Sequence, residues 1–408
     1  MRSAVHRVTA FAIFAAVALA TLASMHAYIW VRLVRDPGVP EPWRRIAALA
    51  LGAAALLIPA AMVLGRFAGR SPVRALPVAA FVWLGLAFLL VCTLLAIDAV
   101  RATGAIWGQL SAWLRALPEP PADPARRRFF ARSIAGGAAL VPGGAGGFAY
   151  RSATGPAEIE EVELRLERLP RPLSGYTIAQ ISDLHVGLTI RDHEVARVVD
   201  QVNALRPDLV VITGDLVDGT PRELGPIVER LAGLRARQGT VFVTGNHDFY
   251  SGVGPWLAAL PRLGIRTLQN ERIALGDEGP GGATFDLAGV HDWSGAQFGP
   301  RHAMDLPRAL AGRDPDRSLV LLAHQPRGFD VALRSGVELQ LSGHTHGGQI
   351  FPFSLIVAAV QPYVKGLYRV RQGDRAGQIY VSRGTGYWGP PLRLGAAPEI
   401  GRLVLTPA

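Results

Sequence analysis

Five short stretches share one form, an apolar run followed by Asp, His or Asn, and four of them hold five of the ten histidines. Residues 209–218, Leu-Val-Val-Ile-Thr-Gly-Asp-Leu-Val-Asp, show the form most fully, with Asp215 directly after the turn glycine Gly214. Residues 176–182 lead into Asp183-Leu184-His185, and residues 240–244 into Gly245-Asn246-His247-Asp248. Residues 318–322 lead into Ala323-His324, and residues 338–341 into Ser342-Gly343-His344-Thr345-His346. Carboxylate, imidazole and amide oxygen without a thiolate are the donors that hold manganese, iron or zinc. One such histidine suits a core or a surface equally well. Five at the ends of four apolar runs, with Asp215 at the end of a fifth, point to a metal centre.

The short β-branched runs read as buried strands. In open α/β folds, chemistry gathers at the carboxyl ends of such strands, where each of these ligand types would stand. Between the runs, residues 192–205, 222–236, 255–263 and 326–334 read as helices, several opened by Asp or Pro. Residues 285–290, 378–382 and 401–405 add strands, and the alternation Val162, Leu164, Leu166 suits a half-buried edge strand. Pattern alone fits either a two-sheet α/β sandwich or a single doubly wound sheet.

Asp-x-His, Gly-Asp-x-x-Asp, Gly-Asn-His-Asp, a lone His and Gly-His-x-His, in this order over residues 160–408, resemble the calcineurin-like metallophosphoesterase superfamily. The resemblance implies a two-sheet αββα sandwich. It also implies two divalent metals, with Asp183, His185 and His346 on one, Asn246, His324 and His344 on the other, and Asp215 bridging. Two dications close together repel unless a carboxylate lies between them, which suits Asp215 as the shared ligand. A water acidified by both ions would then attack phosphorus, with no Ser or Cys nucleophile required. His247 resembles the family's transition-state histidine, and Asp248 is the residue expected to orient its ring. Asp218 is expected behind the ligands, and Gly214, Gly245 and Gly343 are expected to turn the backbone tightly before them. His193, His291 and His302 carry no motif; His291-Asp292 and Arg383 are candidates to face the cleft or the substrate phosphate.

Composition divides the 408-residue chain. Residues 1–150 hold 15 Arg, no Lys and 5 acids, which is the whole net charge of +10; the remainder is balanced. Arginines between apolar runs are a membrane-topology signal and call for no nucleic-acid partner. Residues 8–31, 46–64 and 76–97 are each long enough, at about 20 apolar residues, to cross a hydrocarbon core of roughly 30 Å. Residues 1–132 thus read as a membrane region and 161–408 as the catalytic domain. Residues 133–150 are either a fourth crossing or the weakly apolar tail of an export signal, since Arg126-Arg127-Arg128-Phe129-Phe130 resembles a twin-arginine motif. The connectors 32–45 and 101–132 hold four and six arginines and should lie inside; the amino terminus has two and residues 66–74 three. A fourth crossing places the catalytic domain outside the cytoplasm of a bacterial inner membrane, which is the expected arrangement; without it the domain is cytoplasmic. Cys92 is the only cysteine, so no intrachain disulfide forms.

The expected protein is a membrane-anchored dimetal hydrolase of phosphodiester or pyrophosphate bonds. Gly-Asp-Leu-Val-Asp-Gly lacks the Arg-Gly ending of serine/threonine phosphatases, and Gly-Asn-His is followed by Asp rather than Glu. Gly-His-Thr-His-Gly-Gly-Gln and the tail from Tyr380 to Ile400 resemble the bacterial membrane-attached branch, which includes pyrophosphatases of UDP-2,3-diacylglucosamine in lipid A synthesis. Residues 350–360, apolar but too short to span a bilayer, are either an interfacial or acyl-contacting element or a core segment. The partners expected are a phosphoester or lipid-linked substrate and the membrane, with no nucleic acid and no protein partner. A soluble-substrate phosphatase and a noncatalytic, metal-dependent envelope-binding protein stand as alternatives.

Overall fold

The computed structural model describes residues 2–64, 75–114, 124–277 and 282–408, which fall into two compact units, Met1–Phe148 and Ala149–Ala408. The first is all helical: α1 (Arg2–Trp30), continued by a wider π-helical turn Val31–Arg35, then α2 (Trp43–Leu64), α3 (Ala75–Leu114) and the start of α4 (Pro124–Thr154). Among the described residues, three segments are long and apolar enough to cross a membrane: Ala15–Arg35, Trp43–Val63 and Ala75–Leu114. At 40 residues α3 is ~60 Å long, about twice the hydrocarbon core, so only part of it fits within one crossing. Outward leucines, isoleucines and valines such as Ile13, Leu49 and Leu56 are exposed, as lipid-facing residues are. Several polar groups inside are paired, which lowers their cost in an apolar medium: Trp83 Nε1 donates to His26 Nε2 at 2.9 Å and Tyr28 Oη to Asp98 Oδ2 at 2.6 Å. Arg32 pairs with both Asp98 and Asp36. The arginine connector 66–74 and part of the connector 101–132 lie outside the described residues. Residues 133–150 form part of the continuous helix α4, which is less apolar than α1–α3.

The second unit begins with β1 (Glu158–Leu166) and β2 (Tyr176–Ile181), then α5 (Asp192–Ala204), β3 (Leu209–Thr213), α6 (Pro221–Val228) and β4 (Thr240–Val243). Next come α7 (Asn246–Tyr250), α8 (Val253–Ala259), β5 (Ile265–Thr267), β6 (Glu271–Gly276), β7 (Thr284–Gly289) and α9 (Leu306–Ala309). Last are β8 (Leu319–Leu322), α10 (Phe329–Arg334), β9 (Leu339–Ser342), α11 (Phe353–Val360), β10 (Gly366–Gln372), β11 (Arg375–Val381) and β12 (Glu399–Pro407). Two mixed six-stranded sheets result, ordered β1-β12-β2-β3-β4-β5 and β10-β11-β9-β8-β7-β6.

The near-continuous apolar strands follow from burial on both faces. In β3, Leu209 and Val211 face the second sheet, where they meet Val320, Leu322, Leu339 and Leu341. Val210 and Ile212 turn outward under Val195, Val198 and Val202 of α5 and Leu224 and Ile227 of α6. The second sheet is backed likewise, with Leu319, Leu321 and Ile379 under Phe329 and Leu333 of α10. Helix, sheet, sheet, helix is the αββα order, and the doubly wound alternative does not hold. Several helices are shorter than their sequence patterns suggested: α6 gives way to a 3-10 turn at Glu229–Gly233, and α8 to another at Leu260–Leu263.

Within the first sheet β2, β3 and β4 run parallel, and within the second β7, β8, β9 and β11 do. Their carboxyl ends meet along one seam. Gln180 Nε2 crosses it, donating to Thr213 Oγ1 at 2.9 Å and to the Ser342 carbonyl at 3.0 Å.

Candidate metal centre

The loops leaving β2, β3, β4, β8 and β9 bring the sequence-marked residues to that seam. Asp183, His185 and His346 place one ligand atom each within 4.8 Å of one another; so do Asp215, His324 and His344, and so do His185, Asp215 and His247. Asp215 Oδ2 lies 3.2 Å from His324 Nε2 and 3.7 Å from His185 Nε2, so one carboxylate oxygen faces both halves of the site. His346 Nε2 is 3.1 Å from His185 Nε2 and 3.5 Å from Asp183 Oδ1.

The backbone is bent to achieve this. Asp183, His185, Asp215, His344 and His346 all adopt positive φ, between 48° and 73°, a region costly for side-chain-bearing residues and concentrated at functional sites. Gly214 does turn at φ +89°. Gly245 and Gly343 serve a different purpose from the one expected: a Cβ on Gly245 would collide with Asp215 and one on Gly343 with Ser182 and Asp183, so these glycines permit close approach rather than a turn.

The donor set suits divalent cations. His324 donates Nδ1–H to the Thr213 carbonyl at 2.7 Å, which turns its buried Nε2 into the site toward Asp215 Oδ2. Asn246 Oδ1 is buried and without a hydrogen-bond partner, and unsatisfied buried polar atoms are rare. Burial, then the neighbouring His324 charge, pushes His344 down to about 3, and burial, then Arg393, holds His346 well below the usual imidazole range. Both rings are neutral, whereas burial is outweighed at His185 by Asp218 and at His324 by Asp215, which push those two imidazoles up. Burial opposes the ionised Asp215, yet His324 and His185 outweigh it and hold the carboxyl well below its ordinary value.

Asp248 does not orient His247. Its carboxylate accepts the backbone N–H groups of Gly245 (2.7 Å), Asp215 (3.0 Å), Leu216 (3.0 Å) and Val217 (3.3 Å), stapling the β4 loop to the β3 loop. The carboxylate against the ring is that of Asp218, whose Oδ1 accepts from His247 Nδ1 at 2.6 Å while Oδ2 accepts from His185 Nδ1 at 3.1 Å. Adjacency in sequence had suggested Asp248. The amides of the loop after β3, with that of Gly245 before α7, compete for this carboxylate and win. The His247 ring packs edge-on to His185, Tyr250 and Trp388, with centroids 4.7, 5.3 and 5.4 Å away.

Arg383 is not available to a phosphate: it pairs with Glu399, Glu158 and Glu160. His291 is buried 3.4 Å from Thr244 Oγ1, and burial takes it down to about 4. Asp292 accepts from Ser294 and Gln325 beside it. His193 and His302 stand outside the clusters of potential ligands.

Arg393, which the sequence did not single out, is fully buried and donates to the carbonyls of His346, Arg383, Gly384, Gly386 and Ala396. It also lies 3.2 Å from His346 Nδ1. Burial lowers it to about 10, still charged at neutral pH. No pattern in sequence separates such an arginine from a surface one.

A profile of the family described as Calcineurin-like phosphoesterase matches residues 176–348. A Bacillus subtilis protein described as uncharacterized metallophosphoesterase YkuE is 31% identical over 290 residues, covering 67% of this chain and 95% of the relative. The chain belongs to the calcineurin-like phosphoesterase family. This metallophosphoesterase is also 38% identical over 261 residues to a Danio rerio protein named transmembrane protein with metallophosphoesterase domain, covering 63% of this chain. It spans 59% of that relative's length. Among solved structures, a 5'-nucleotidase precursor from Thermus thermophilus is similar at 16% identity and a TM-score of 0.34, over 56% of this chain and 54% of that one. A likeness that low carries no argument about the metallophosphoesterase's chemistry.

Proposed function

We propose that the chain is a membrane-anchored, dimetal hydrolase of phosphodiester or pyrophosphate bonds. The observation that carries this reading is Asp215, whose Oδ2 is shared between a His324/His344 cluster and an Asp183/His185/His346 cluster, with His247 alongside. Asp183, His185 and His346 would hold one ion, Asn246, His324 and His344 the other, and Asp215 both. Manganese, iron or zinc would suit these donors. Bound there, such ions supply Lewis acidity and a water acidified enough to attack at neutral pH.

The chain's own residues do the rest. Asp215 Oδ1 accepts the His247 N–H at 2.8 Å, which fixes the carboxylate with Oδ2 toward both clusters. Asp218 holds His247 by Nδ1, so Nε2 is the atom left to donate to the leaving oxygen. Tyr250 and Trp388 shield one side of that ring from water.

The substrate class we favour is a phosphodiester or diphosphate presented at a membrane surface, because three apolar helices accompany the site in the same chain. The relatives' names state no substrate and give lipid A synthesis no support, so we propose the class and use UDP-2,3-diacylglucosamine only as a probe. We place the catalytic unit outside the cytoplasm of a bacterial inner membrane. What supports this is Arg126–Arg128 in the first turn of the weakly apolar α4, a sequence that resembles an exported twin-arginine tail.

The test is turnover by the full chain of bis-p-nitrophenyl phosphate, p-nitrophenyl phosphate and UDP-diacylglucosamine. Preference for the diester or the diphosphate over the monoester is expected. A monoester preference would replace this reading with that of a soluble-substrate phosphatase.

A further inference from the structure

We propose that α11 and the turn before it are a membrane-docking element that seats the metal centre on the lipid surface. The proposal rests on the hydrolase reading above and names how its substrate is reached. Ile350 is buried, but the rest of the stretch is not core: α11 has no buried residue. Phe351, Phe353, Leu355, Ile356 and Val360 are 53, 45, 61, 58 and 68% exposed. Elsewhere in this unit such side chains lie mostly inside, and a contiguous exposed apolar surface of this kind marks an interaction site.

The patch is continuous with the chemistry. Ligand His346 opens the short turn His346–Gly348, and Gly348 lies so close to Ser354 of α11 that a Cβ there would overlap it. Gln349 Nε2 donates to the carbonyls of Trp388 (2.9 Å) and Pro390 (3.2 Å), tying the turn to the exposed Trp388, whose ring packs against His247. Contacts thus lead from the candidate leaving-group histidine through Trp388 and Gln349 to the turn before α11.

A bilayer is the occupant the charges fit. Apart from Asp374, no carboxylate occurs between Glu338 and Glu399. Lys365, the only lysine, donates Nζ to the Gly395 carbonyl at 3.1 Å, while the backbone of Phe351 bonds to neighbouring Leu394. Lys365, Arg369 and Arg371 are exposed. An exposed apolar segment followed in the chain by exposed cations and a tryptophan, with a single acid in the stretch, has the composition of an interfacial element. The chain itself carries three segments able to cross a membrane, so lipid is within its reach.

The experiment uses the full chain with Cys92→Ala, reconstituted in nanodiscs of phosphatidylcholine and phosphatidylglycerol. A polarity-sensitive fluorophore is placed at Ile356→Cys or, for comparison, at the exposed Val331→Cys of α10. Doxyl-labelled lipid should quench the label at 356 severalfold more than that at 331; equal quenching overturns the proposal. Shielding of the 356 label that persists in lipid-free amphipol would put a second copy on α11 and overturn it too. Leu355→Glu with Ile356→Glu should lower turnover of UDP-diacylglucosamine in nanodiscs by roughly tenfold or more, from the lost burial of two large side chains. Bis-p-nitrophenyl phosphate turnover should not change. Equal losses on both substrates sink the docking role, whereas absence of diester turnover in the unsubstituted chain would sink the hydrolase reading instead.

Discussion

Asp218 and Asp248 show how two nearby carboxylates divide the work. Asp218 touches two rings, His185 and His247, and fixes both by Nδ1. Asp218→Asn should therefore lower kcat by roughly 100-fold while leaving Tm nearly unchanged, because orientation is lost but no buried amide is stranded. Asp248 accepts four backbone amides and touches no ring. Asp248→Ala should destabilise the unit by ~3 kcal/mol, read as a fall in the denaturation midpoint, since the stranded amides lose their acceptor. A variant pair with these effects exchanged would contradict the assignment. At the metal, His324→Ala should take the metal content of the purified chain from two equivalents to one, measured by elemental analysis, with the Asp183 cluster still loaded.

At the scale of the elements, Arg393 links the His346 turn to the carboxyl-terminal loops through five carbonyls. Arg393→Met keeps much of the volume but leaves those carbonyls buried and unpaired, so a loss of ~4 kcal/mol in unfolding free energy is expected, with reduced metal retention at the Asp183 cluster. The β2, β3, β4, β8 and β9 strands were legible because burial on both faces writes a continuous apolar run, and each run ended on a ligand type. The short β5 and the edge strands β6 and β10 were not, since Arg266, Arg272 and Arg369 interrupt their patterns. The positive φ values at the ligands left no trace in sequence, because they are imposed by convergence of loops from two sheets on one point. Asp218 does lie behind the ligands, as expected, but the ring-orienting role expected of Asp248 falls to it for a related reason: nearness along the chain stood in for nearness in space.

For the whole molecule, two units with different solvents share one chain. Arginines gathered before residue 150 and a balanced remainder made that division visible in composition. The side on which the catalytic unit lies depends on α4. With Cys92→Ala and Val331→Cys, a membrane-impermeant maleimide should label intact cells if the unit is exported; labelling only after lysis would place it in the cytoplasm. The central claim is chemical and is tested most directly by metal titration of the stripped full chain with manganese while bis-p-nitrophenyl phosphate turnover is followed, with His247→Ala alongside. Turnover should appear only as the second equivalent binds, and should fall about 100-fold in the variant at unchanged metal content. Two tightly bound equivalents with no turnover, or a His247→Ala variant as active as the parent, would contradict it.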